Sequence, residues 1–537
     1  MLEGREQLEI DGRSIADGSM LEGGVCIVGA GAAGISLARE LARRGVSIIL
    51  VESGGFSYDP ATQDLGRGET AGHPYFPLDA CRLRYFGGTT NHWVGWCRPL
   101  DPVDFEAKEW APGTGWPLRP ADLEDYYRGA SDVCELTSLD YRAETWAAGL
   151  DRPLLPLSPD RIATTLFQLS PPTRFGARYR DDVIQSNRIR TLLYSNVVEI
   201  HPHQDLRFVE RLRVRTLQGN EFSVVARHYV LATGGIENAR LLLASRSVAT
   251  DGLGNAYGWV GRTFMEHPHL VSGLFLPSNP DLDVSFYRVF KREGARANGA
   301  LVFPASRLRE EGMLNVSVTL EDVPRQAERY VEAELSTAFE SFRALGRSAR
   351  RGEVPEDFVR HLWNVVSDID DVAWAGYGRL LPPIESGWMY KLFVRSEQEP
   401  NPDSRITLID ELDPLGVPRT RLDWRLTDLD LHTIRRAQTL LALEVGRAGL
   451  GRVFIPPAEG ESTWADAIFG GYHHMGTTRM DPDLTRGVVD RDCRVHGIEN
   501  LWIAGSSVFP SGGYANPTLT LIALALRLGD HLGRELS

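Results

Sequence analysis

The stretch from Val25 to Glu52, VCIVGAGAAGISLARELARRGVSIILVE, decides the fold. It opens with four consecutive apolar residues, a pattern typical of a strand that is buried on both faces. A glycine-rich turn follows at once, and apolar residues then recur at helical spacing until Gly45, a favourable residue for ending a helix. Ser47 to Val51 supplies a second apolar run. The sequence therefore predicts one complete strand, turn, helix and strand unit.

The turn has the spacing G-x-G-x-x-G at Gly29, Gly31 and Gly34, and Glu52 lies 18 residues further on. Glycines at these positions let backbone N–H groups approach a pyrophosphate, whose negative charge is favoured by the start of the helix. A carboxylate at this distance is placed to accept hydrogen bonds from an adenosine ribose. A tight turn without a ligand would not need the acid, so the pattern predicts a dinucleotide-binding unit.

The composition is that of an ordinary globular protein, with 537 residues of which 42% are hydrophobic and 24% are charged. The 58 basic and 72 acidic residues give a net charge of −14, which disfavours a nucleic-acid partner. The five cysteines are scattered without a C-x-x-C pair, as is typical of a reducing compartment.

Two features of the chain bear on its location. The N-terminal segment lacks the apolar core of a secretion signal. The longest apolar run near the end, Leu519 to Leu526, is less than half as long as a membrane span. We therefore expect a soluble, cytoplasmic protein without a membrane span, and oligomer formation stays open.

Two later parts of the chain are predicted to add strands and helices to the same nucleotide-binding unit. A strand-like run ends near Leu231, Gly234 follows it, and a helix is predicted from about Glu237 to Ala244. A short strand at Asn500 to Ala504 and a helix at Pro517 to about Leu532 are predicted near the end. The nucleotide-binding domain is thus predicted to be discontinuous in sequence.

The middle of the chain has a different character. A charged helical stretch is predicted at Val323 to Val366. Three strand-like runs follow at Met389 to Val394, Arg405 to Ile409 and Thr420 to Leu426, and we predict that they form one antiparallel sheet of a second domain. An amphipathic helix from about Asp428 to Ala448 comes next.

Two polar segments near the C-terminus carry the candidate chemistry. Asn516 precedes Pro517, which predicts a helix with Asn516 as its N-cap and the proline at its first position. The positive end of such a helix suits the negative edge of a reduced flavin better than a nicotinamide. His473 and His474 form a pair upstream, and a neutral imidazole accepts a hydroxyl proton while hydride leaves the same carbon. The alternative, that these histidines only satisfy buried hydrogen bonds, stays open.

Several motifs together resemble one known family, the glucose–methanol–choline (GMC) oxidoreductases. Beside the glycine turn, they are GGTTNHW (Gly87 to Trp93), VGRTFMEHPH (Val260 to His269), YHHMGTTRM (Tyr472 to Met480), and LWIAGSSVFP with ANPTLT (Leu501 to Thr520). The resemblance covers essentially the whole chain beyond residue 20. Within the family it is nearest to the branch of pyranose oxidases and bacterial glycoside 3-oxidases.

The resemblance implies an α/β fold with a discontinuous Rossmann-like FAD-binding domain and a substrate-binding domain that contains an antiparallel sheet, as in GMC and p-hydroxybenzoate-hydroxylase-like proteins. The FAD-binding domain is expected at residues 20–130, 190–270 and 460–537. The substrate-binding domain is expected at residues 131–189 and 271–459, and residues 1–19 form an N-terminal extension.

The resemblance also implies roles for individual residues. His473 takes the place of the catalytic base, Asn516 is its hydrogen-bonding partner across the substrate carbinol, and His474 is structural. Contacts with the FAD cofactor are expected from Gly29, Gly31, Gly34, Glu52, Thr90, Asn91, His92, Gly234, Gly505, Pro517 and Thr518.

Two histidine positions need separate comment. His92 occupies the position at which fungal pyranose oxidases attach FAD covalently, but Val94 departs from the hydroxyl residue of that pattern. A covalent link and an unlinked, packed ring therefore both stay open. His267 and His269 flank a proline without a clear third ligand, so we expect loop packing and no metal.

The implied activity is the oxidation of a secondary hydroxyl of a pyranose sugar or glycoside, at C3 or C2, with O2 or a soluble acceptor taking the electrons. One alternative is a dehydrogenase of the gluconate, sorbitol and fructose type that passes electrons to a membrane chain. Another is a GMC-like lyase that holds FAD structurally. The rings of Tyr85, Phe86, Trp93 and Trp96 are either core or faces for a sugar.

Overall fold

The three-dimensional structure is a computed structural model that describes residues 9–171, 173–322, 389–455 and 465–536. The helix predicted at Val323 to Val366 lies outside the described residues. The architecture is α/β, as the glycine turn predicts, and the described strands form three sheets.

The strands, in chain order, are β1 (Glu9–Asp11), β2 (Met20–Val28), β3 (Ile48–Val51), β4 (Gly68–Gly72), β5 (Trp96–Cys97), β6 (Ala163–Leu169), β7 (Ile189–Leu193), β8 (Asn196–Pro202), β9 (Val209–Arg215), β10 (Glu221–Leu231), β11 (His269–Pro277), β12 (Val289–Arg292), β13 (Ala295–Val302), β14 (Val316–Asp322), β15 (Tyr390–Ser396), β16 (Arg405–Leu412), β17 (Pro418–Trp424), β18 (Gly451–Phe454) and β19 (Leu501–Ile503).

The α-helices, in chain order, are α1 (Ala32–Arg43), α2 (Pro60–Asp64), α3 (Glu124–Val133), α4 (Ala143–Ala147), α5 (Phe175–Arg178), α6 (Arg180–Ile184), α7 (Gly234–Ala244), α8 (Ala305–Glu311), α9 (Asp428–Arg447) and α10 (Thr518–Glu535).

The first sheet contains the predicted strand, turn, helix and strand unit as β2, α1 and β3. The strand order is β1, β7, β3, β2, β10, β9 and β8, with β19 beside β10. Five pairings are parallel: β1 with β7, β7 with β3, β3 with β2, β2 with β10, and β10 with β19. The pairings of β10 with β9 and of β9 with β8 are antiparallel. Gly45 has φ +81°, a left-handed conformation that suits the residue after a helix. Both ends of the chain therefore contribute to this sheet, as predicted.

The second sheet is antiparallel throughout the described residues. Its order is β18, β11, β15, β14, β13, β6 and β5, with β12 beside β13. Its side chains alternate between two faces, and one face looks toward the end of the first sheet. The boundaries of the two predicted domains stay a prediction.

The third sheet corrects one expectation. Only the run that begins at Met389 joins the second sheet, as β15, whereas the other two runs, β16 and β17, form a separate sheet with β4. β16 and β17 are antiparallel, but the free edge of β17 pairs in parallel with Gly68–Gly72. The prediction of one antiparallel sheet from all three runs is therefore wrong, because β17 pairs with β4 and not with the second sheet.

The two long helices agree with their predicted bounds to within a few residues. α9 begins with a capping box in which Thr427 and Asp430 exchange backbone-to-side-chain hydrogen bonds of 2.8 and 3.3 Å. α10 packs against α1, and Gly529 gives the close approach because a Cβ there would lie 2.9 Å from Glu40 Cγ. In the described parts of the chain, no helix has both the length and the apolar character needed to cross a membrane.

Candidate active site

A cavity of about 990 Å³ opens where the strands of the first sheet end. Val28 and Val51, the last residues of β2 and β3, line one side, together with Ala504 directly after β19. His269 of β11 and Arg395 of β15 line another side, so the cavity lies between the first and second sheets. Open α/β sheets bind their ligands at this edge, beyond the carboxyl ends of the strands.

The glycine turn forms one end of the cavity. A Cβ added at Gly34 would lie 1.9 Å from the carbonyl oxygen of Gly29, so only glycine allows α1 to pack this closely against the turn. Gly29 has φ +100° and lies against the backbone of Ala232. Gly31 lines the cavity at the start of α1, and a Cβ there would meet nothing within 4 Å. The open space beside Gly31 is therefore suited to a phosphate group.

Glu52 lies on the cavity wall with its side chain buried. Its two carboxylate oxygens accept hydrogen bonds from the backbone N–H groups of Ala30, at 2.8 Å, and Gly54, at 3.0 Å. Burial raises the pKa of this carboxyl group, and the backbone donors oppose that shift. Each oxygen has a further lone pair, so the predicted contact with a ribose hydroxyl is compatible with these bonds.

The loop that follows Gly87 covers the cavity from another direction. Thr90 donates to the carbonyl oxygen of Gly87 at 2.6 Å, and Asn91 donates to that of Phe86 at 2.8 Å. The side-chain oxygen of Asn91 accepts from the backbone N–H of Gly176, so this amide holds the loop together. The His92 ring lines the cavity, with Nε2 2.9 Å from the hydroxyl of Tyr85.

Of the residues expected to contact FAD, nine line the cavity: Gly29, Gly31, Glu52, Thr90, His92, Gly234, Gly505, Pro517 and Thr518. Gly34 and Asn91 do not line it, because the first packs helix against turn and the second is engaged by backbone groups. The volume of the cavity, the open space beside Gly31 and the buried carboxylate together fit a dinucleotide of the size of FAD.

The two residues expected to act on the substrate meet at the cavity wall. His473 Nε2 lies 2.9 Å from Asn516 Nδ2, and both side chains line the cavity. Asn516 Oδ1 has no hydrogen-bond partner among the described residues, although it is buried. An imidazole and an amide with an unused acceptor thus face the same space.

The expected capping role of Asn516 is wrong. α10 begins at Thr518 with Pro517 at the N-cap position, and no side chain caps this helix. The Asn516 side chain turns to His473 instead, because a tertiary hydrogen bond replaces the local one. The start of α10 still faces the cavity through Pro517 and Thr518.

Sequence reasoning missed the residue behind His473. His267 Nδ1 lies 2.8 Å from His473 Nδ1, and His267 Nε2 lies 3.4 Å from the carbonyl oxygen of Gly512. His267 is fully buried. The HPH motif contained this residue, but its partner stands 206 positions further along the chain, so no local pattern could reveal the contact.

These contacts favour one assignment of the protons to the ring nitrogens. A carbonyl oxygen only accepts, so His267 Nε2 carries a hydrogen toward Gly512 and its Nδ1 accepts. His473 Nδ1 must then donate to His267, which leaves a lone pair on His473 Nε2. Asn516 donates to this lone pair, so all three contacts agree on one tautomer. His473 therefore points its basic nitrogen into the cavity.

A buried carboxylate supports the segment that carries His473. Glu266 accepts hydrogen bonds of 3.0 Å from the backbone N–H groups of Gly471 and His473, and a further one from the Tyr75 hydroxyl. Burial raises the pKa of Glu266 to about 7. His474 Nε2 lies 2.9 Å from the same Tyr75 hydroxyl, so its ring belongs to this supporting network.

The histidines of the site are held neutral. Burial is the main cause that lowers the pKa of His473 well below its usual range, and the proximity of His267 and His269 adds to it. Burial likewise lowers the pKa of His267 to about 4. His473 is therefore available as an unprotonated base near neutral pH. Within the described residues, no group of three or more potential metal ligands occurs.

Comparison with known proteins agrees with this geometry. Residues 24–250 match the family model described as FAD dependent oxidoreductase, and residues 400–525 match that described as GMC oxidoreductase. The fold, the cavity and these matches define an FAD-dependent oxidoreductase. The chain thus carries a C-terminal domain of the GMC oxidoreductases, the family that its motifs resemble, together with an FAD oxidoreductase domain.

Individual relatives are distant. The chain is 22% identical to 2-methyl-1,2-propanediol dehydrogenase of Mycolicibacterium austroafricanum, with 96% of this chain and 95% of that protein covered. It is 24% identical to 6'''-hydroxyparomomycin C oxidase of Streptomyces lividus, with coverage of 96% and 92%. It is 34% identical to C-glycoside 3-oxidase of Arthrobacter globiformis, but over 23% of each chain only.

Solved structures share the fold over nearly the full length. Pyridoxine 4-oxidase from Mesorbium loti is 18% identical with a TM-score of 0.54, covering 95% of this chain and 98% of its own. A formate oxidase variant from Aspergillus oryzae is 18% identical with a TM-score of 0.53, covering 97% and 99%. At these identities the likeness concerns the fold alone.

Proposed function

We propose that this protein oxidises a secondary hydroxyl of a sugar or glycoside to a ketone. One observation carries the proposal: His473 Nε2 and Asn516 Nδ2 lie 2.9 Å apart at the wall of the cavity. A carbinol oxygen that replaced this hydrogen bond would meet an imidazole that accepts its proton and an amide that orients it. Relatives named as C-glycoside 3-oxidase and 6'''-hydroxyparomomycin C oxidase support a sugar substrate, and the first favours C3 over C2.

In the proposed mechanism, the residues of this chain move the hydroxyl proton. His473 Nε2 accepts it, while the hydrogen bond from His473 Nδ1 to His267 holds the required tautomer. Asn516 turns its amide from His473 to the substrate oxygen. Bound FAD supplies the acceptor for the hydride that leaves the carbinol carbon. Gly31, Glu52 and the start of α10 would hold that cofactor, and the positive helix end would favour negative charge beside it.

We further propose that O2 or a soluble acceptor takes the electrons and that the protein works in the cytoplasm. The second part is supported by the cysteines, because all five are free and buried. A specific observation favours a second candidate for the acceptor. The relative named 2-methyl-1,2-propanediol dehydrogenase covers 96% of this chain, so a dehydrogenase that uses another electron carrier is tested beside the oxidase.

Anaerobic mixing of the FAD-loaded protein with a panel of free sugars, O-glycosides and C-glycosides tests the proposal. We expect the flavin absorbance to bleach with at least one sugar, and NMR of the product to place a carbonyl at C3. His473→Ala should keep FAD yet slow bleaching by about 10² to 10⁴. An oxidised spectrum that persists across the whole panel would contradict the proposal and favour a lyase. Adding O2 or an artificial acceptor to the reduced protein then separates oxidase from dehydrogenase.

A further inference from the structure

The wall of the cavity that belongs to the second sheet carries a buried positive charge. Arg395 of β15 stands opposite His269 of β11 in the antiparallel ladder, so the two side chains share one face of the sheet. Phe393 lies on the same face two residues earlier. These three side chains line the cavity together with His473 and Asn516. Arg395 therefore faces the space in which the proposed substrate would lie.

The surroundings of the Arg395 guanidinium leave part of its donors unused. Its Cζ lies 4.4 Å from the ring centroid of Trp96 and 4.1 Å from that of Phe393, so aromatic rings cover the cation. Nη1 donates to the Thr319 hydroxyl at 3.1 Å. No other hydrogen bond joins this guanidinium to a described residue. A guanidinium has five N–H donors, so an edge stays available for a planar acceptor.

Other buried cations of this protein are paired with carboxylates. Lys108 Nζ lies 2.9 Å from Glu397, and Arg240 Nη2 lies 2.7 Å from Asp413. Arg395 has no ion-pair partner among the described residues, although it is only 7% exposed. Burial accordingly lowers the pKa of Arg395 to about 10, although the negative charge of Glu321, which forms no ion pair with it, opposes part of that shift. Since an unpaired buried charge is costly, its retention beside a cavity calls for an anionic ligand.

A second polar atom on this wall also lacks a partner. His269 Nε2 is buried and makes no hydrogen bond with any described residue, although the ring lines the cavity and is 7% exposed. Burial, with a smaller effect from Arg395, lowers the pKa of His269 well below its usual range, so the ring is neutral. His269 and Arg395 are opposite neighbours in the ladder, but the buried Nε2 lies against Gly471 and is closed off from the open cavity.

We propose that Arg395 forms a carboxylate-binding subsite, and that the substrate is an acidic sugar or glycoside, such as a uronate. The inference rests on the proposed function for the position of the carbinol between His473 and Asn516. The guanidinium edge binds the carboxylate, and the neutral His269 ring beside it adds no competing charge. A substrate with an ammonium group at the corresponding position is disfavoured by the same charge.

Three probes that differ only at C6 test the subsite: methyl β-D-glucuronide, methyl β-D-glucoside and methyl 6-amino-6-deoxy-β-D-glucoside. Binding is measured by the perturbation of the oxidised flavin spectrum, and anaerobic bleaching is measured separately. We expect the wild type to prefer the glucuronide in both. Arg395→Gln should reduce that preference over the glucoside by roughly 10- to 150-fold, as expected for a hydrogen bond to a charged group. Arg395→Lys should retain part of it.

The controls separate specificity from folding. Arg309→Gln removes an exposed arginine that pairs with Glu106, and it should leave the preference unchanged. A purely structural Arg395 would lower binding of the glucuronide and the glucoside equally, and that result would overturn the inference, as would a wild type that binds them equally. If Arg395→Gln loses its FAD, Arg395→Lys carries the comparison. If neither these probes nor the wider sugar panel bleaches the flavin, the proposed function fails, while the binding preference still decides the subsite.

Discussion

Replacing His267 by leucine is expected to slow flavin reduction without loss of the cofactor. Leucine is apolar and of similar size, so His473 Nδ1–H would lose its acceptor at 2.8 Å in a site that water does not reach. An unsatisfied buried donor costs about 1 to 3 kcal/mol. The alternative tautomer, with its hydrogen on Nε2, cannot accept the hydroxyl proton. At 1.36 kcal/mol for each factor of ten, we expect reduction to slow by about 5- to 150-fold.

Stopped-flow reduction under anaerobic conditions measures this effect with whichever sugar reduces the wild type best. His267→Asn is the matched control, because its amide oxygen can accept from His473 Nδ1, and it should stay within about fivefold of the wild type. The dissociation constant of the sugar should be similar in all three proteins, since His267 does not line the cavity. If the leucine variant binds FAD and is reduced at the wild-type rate, His267 does not hold the tautomer of His473 and the reasoning is wrong.

Three further predictions concern the cofactor and the base. Gly31→Ala should fold normally but weaken FAD binding, because its Cβ enters the space assigned to a phosphate. Gly446→Ala in α9 is the matched control, because a Cβ there would also meet nothing within 4 Å. Equal FAD affinity in both variants would contradict the phosphate assignment. Acid precipitation should leave the yellow colour in the supernatant if His92 is unlinked, and in the pellet if it is covalently attached. The rate constant of flavin reduction should stay constant between about pH 6.5 and 8 and fall only at lower pH, because burial keeps His473 neutral; a midpoint near 6.5 would count against it.

The sequence predicts those features that short-range patterns determine. The unit formed by β2, α1 and β3 follows from an apolar run, a glycine turn and helical spacing within one stretch, and the structure reproduces it. The third sheet was not predictable in this way, because β17 pairs with Gly68–Gly72, which lie about 350 positions earlier. Local pattern says nothing about such a partner.

The candidate site shows the same limit. His473 and Asn516 were found through a family resemblance, and the structure brings them together. The capping prediction for Asn516 failed because a local rule competes with a tertiary hydrogen bond, and the tertiary bond prevails. The sequence predicted only loop packing for His267 and nothing for Arg395, because the contacts of both residues are with neighbours that are distant in sequence.

The position of β10 in the first sheet has a consequence for synthesis. Its last residues, Tyr229 to Leu231, pair with Cys26 to Val28 on one edge and with Leu501 to Ile503 on the other. During translation the second edge stays unpaired until β19 has emerged from the ribosome. An exposed apolar strand edge can pair with another nascent chain. Gly505, Pro517 and Thr518 also line the cavity, so its wall is complete only after these residues have been translated, and chaperones can bind the open edge until then.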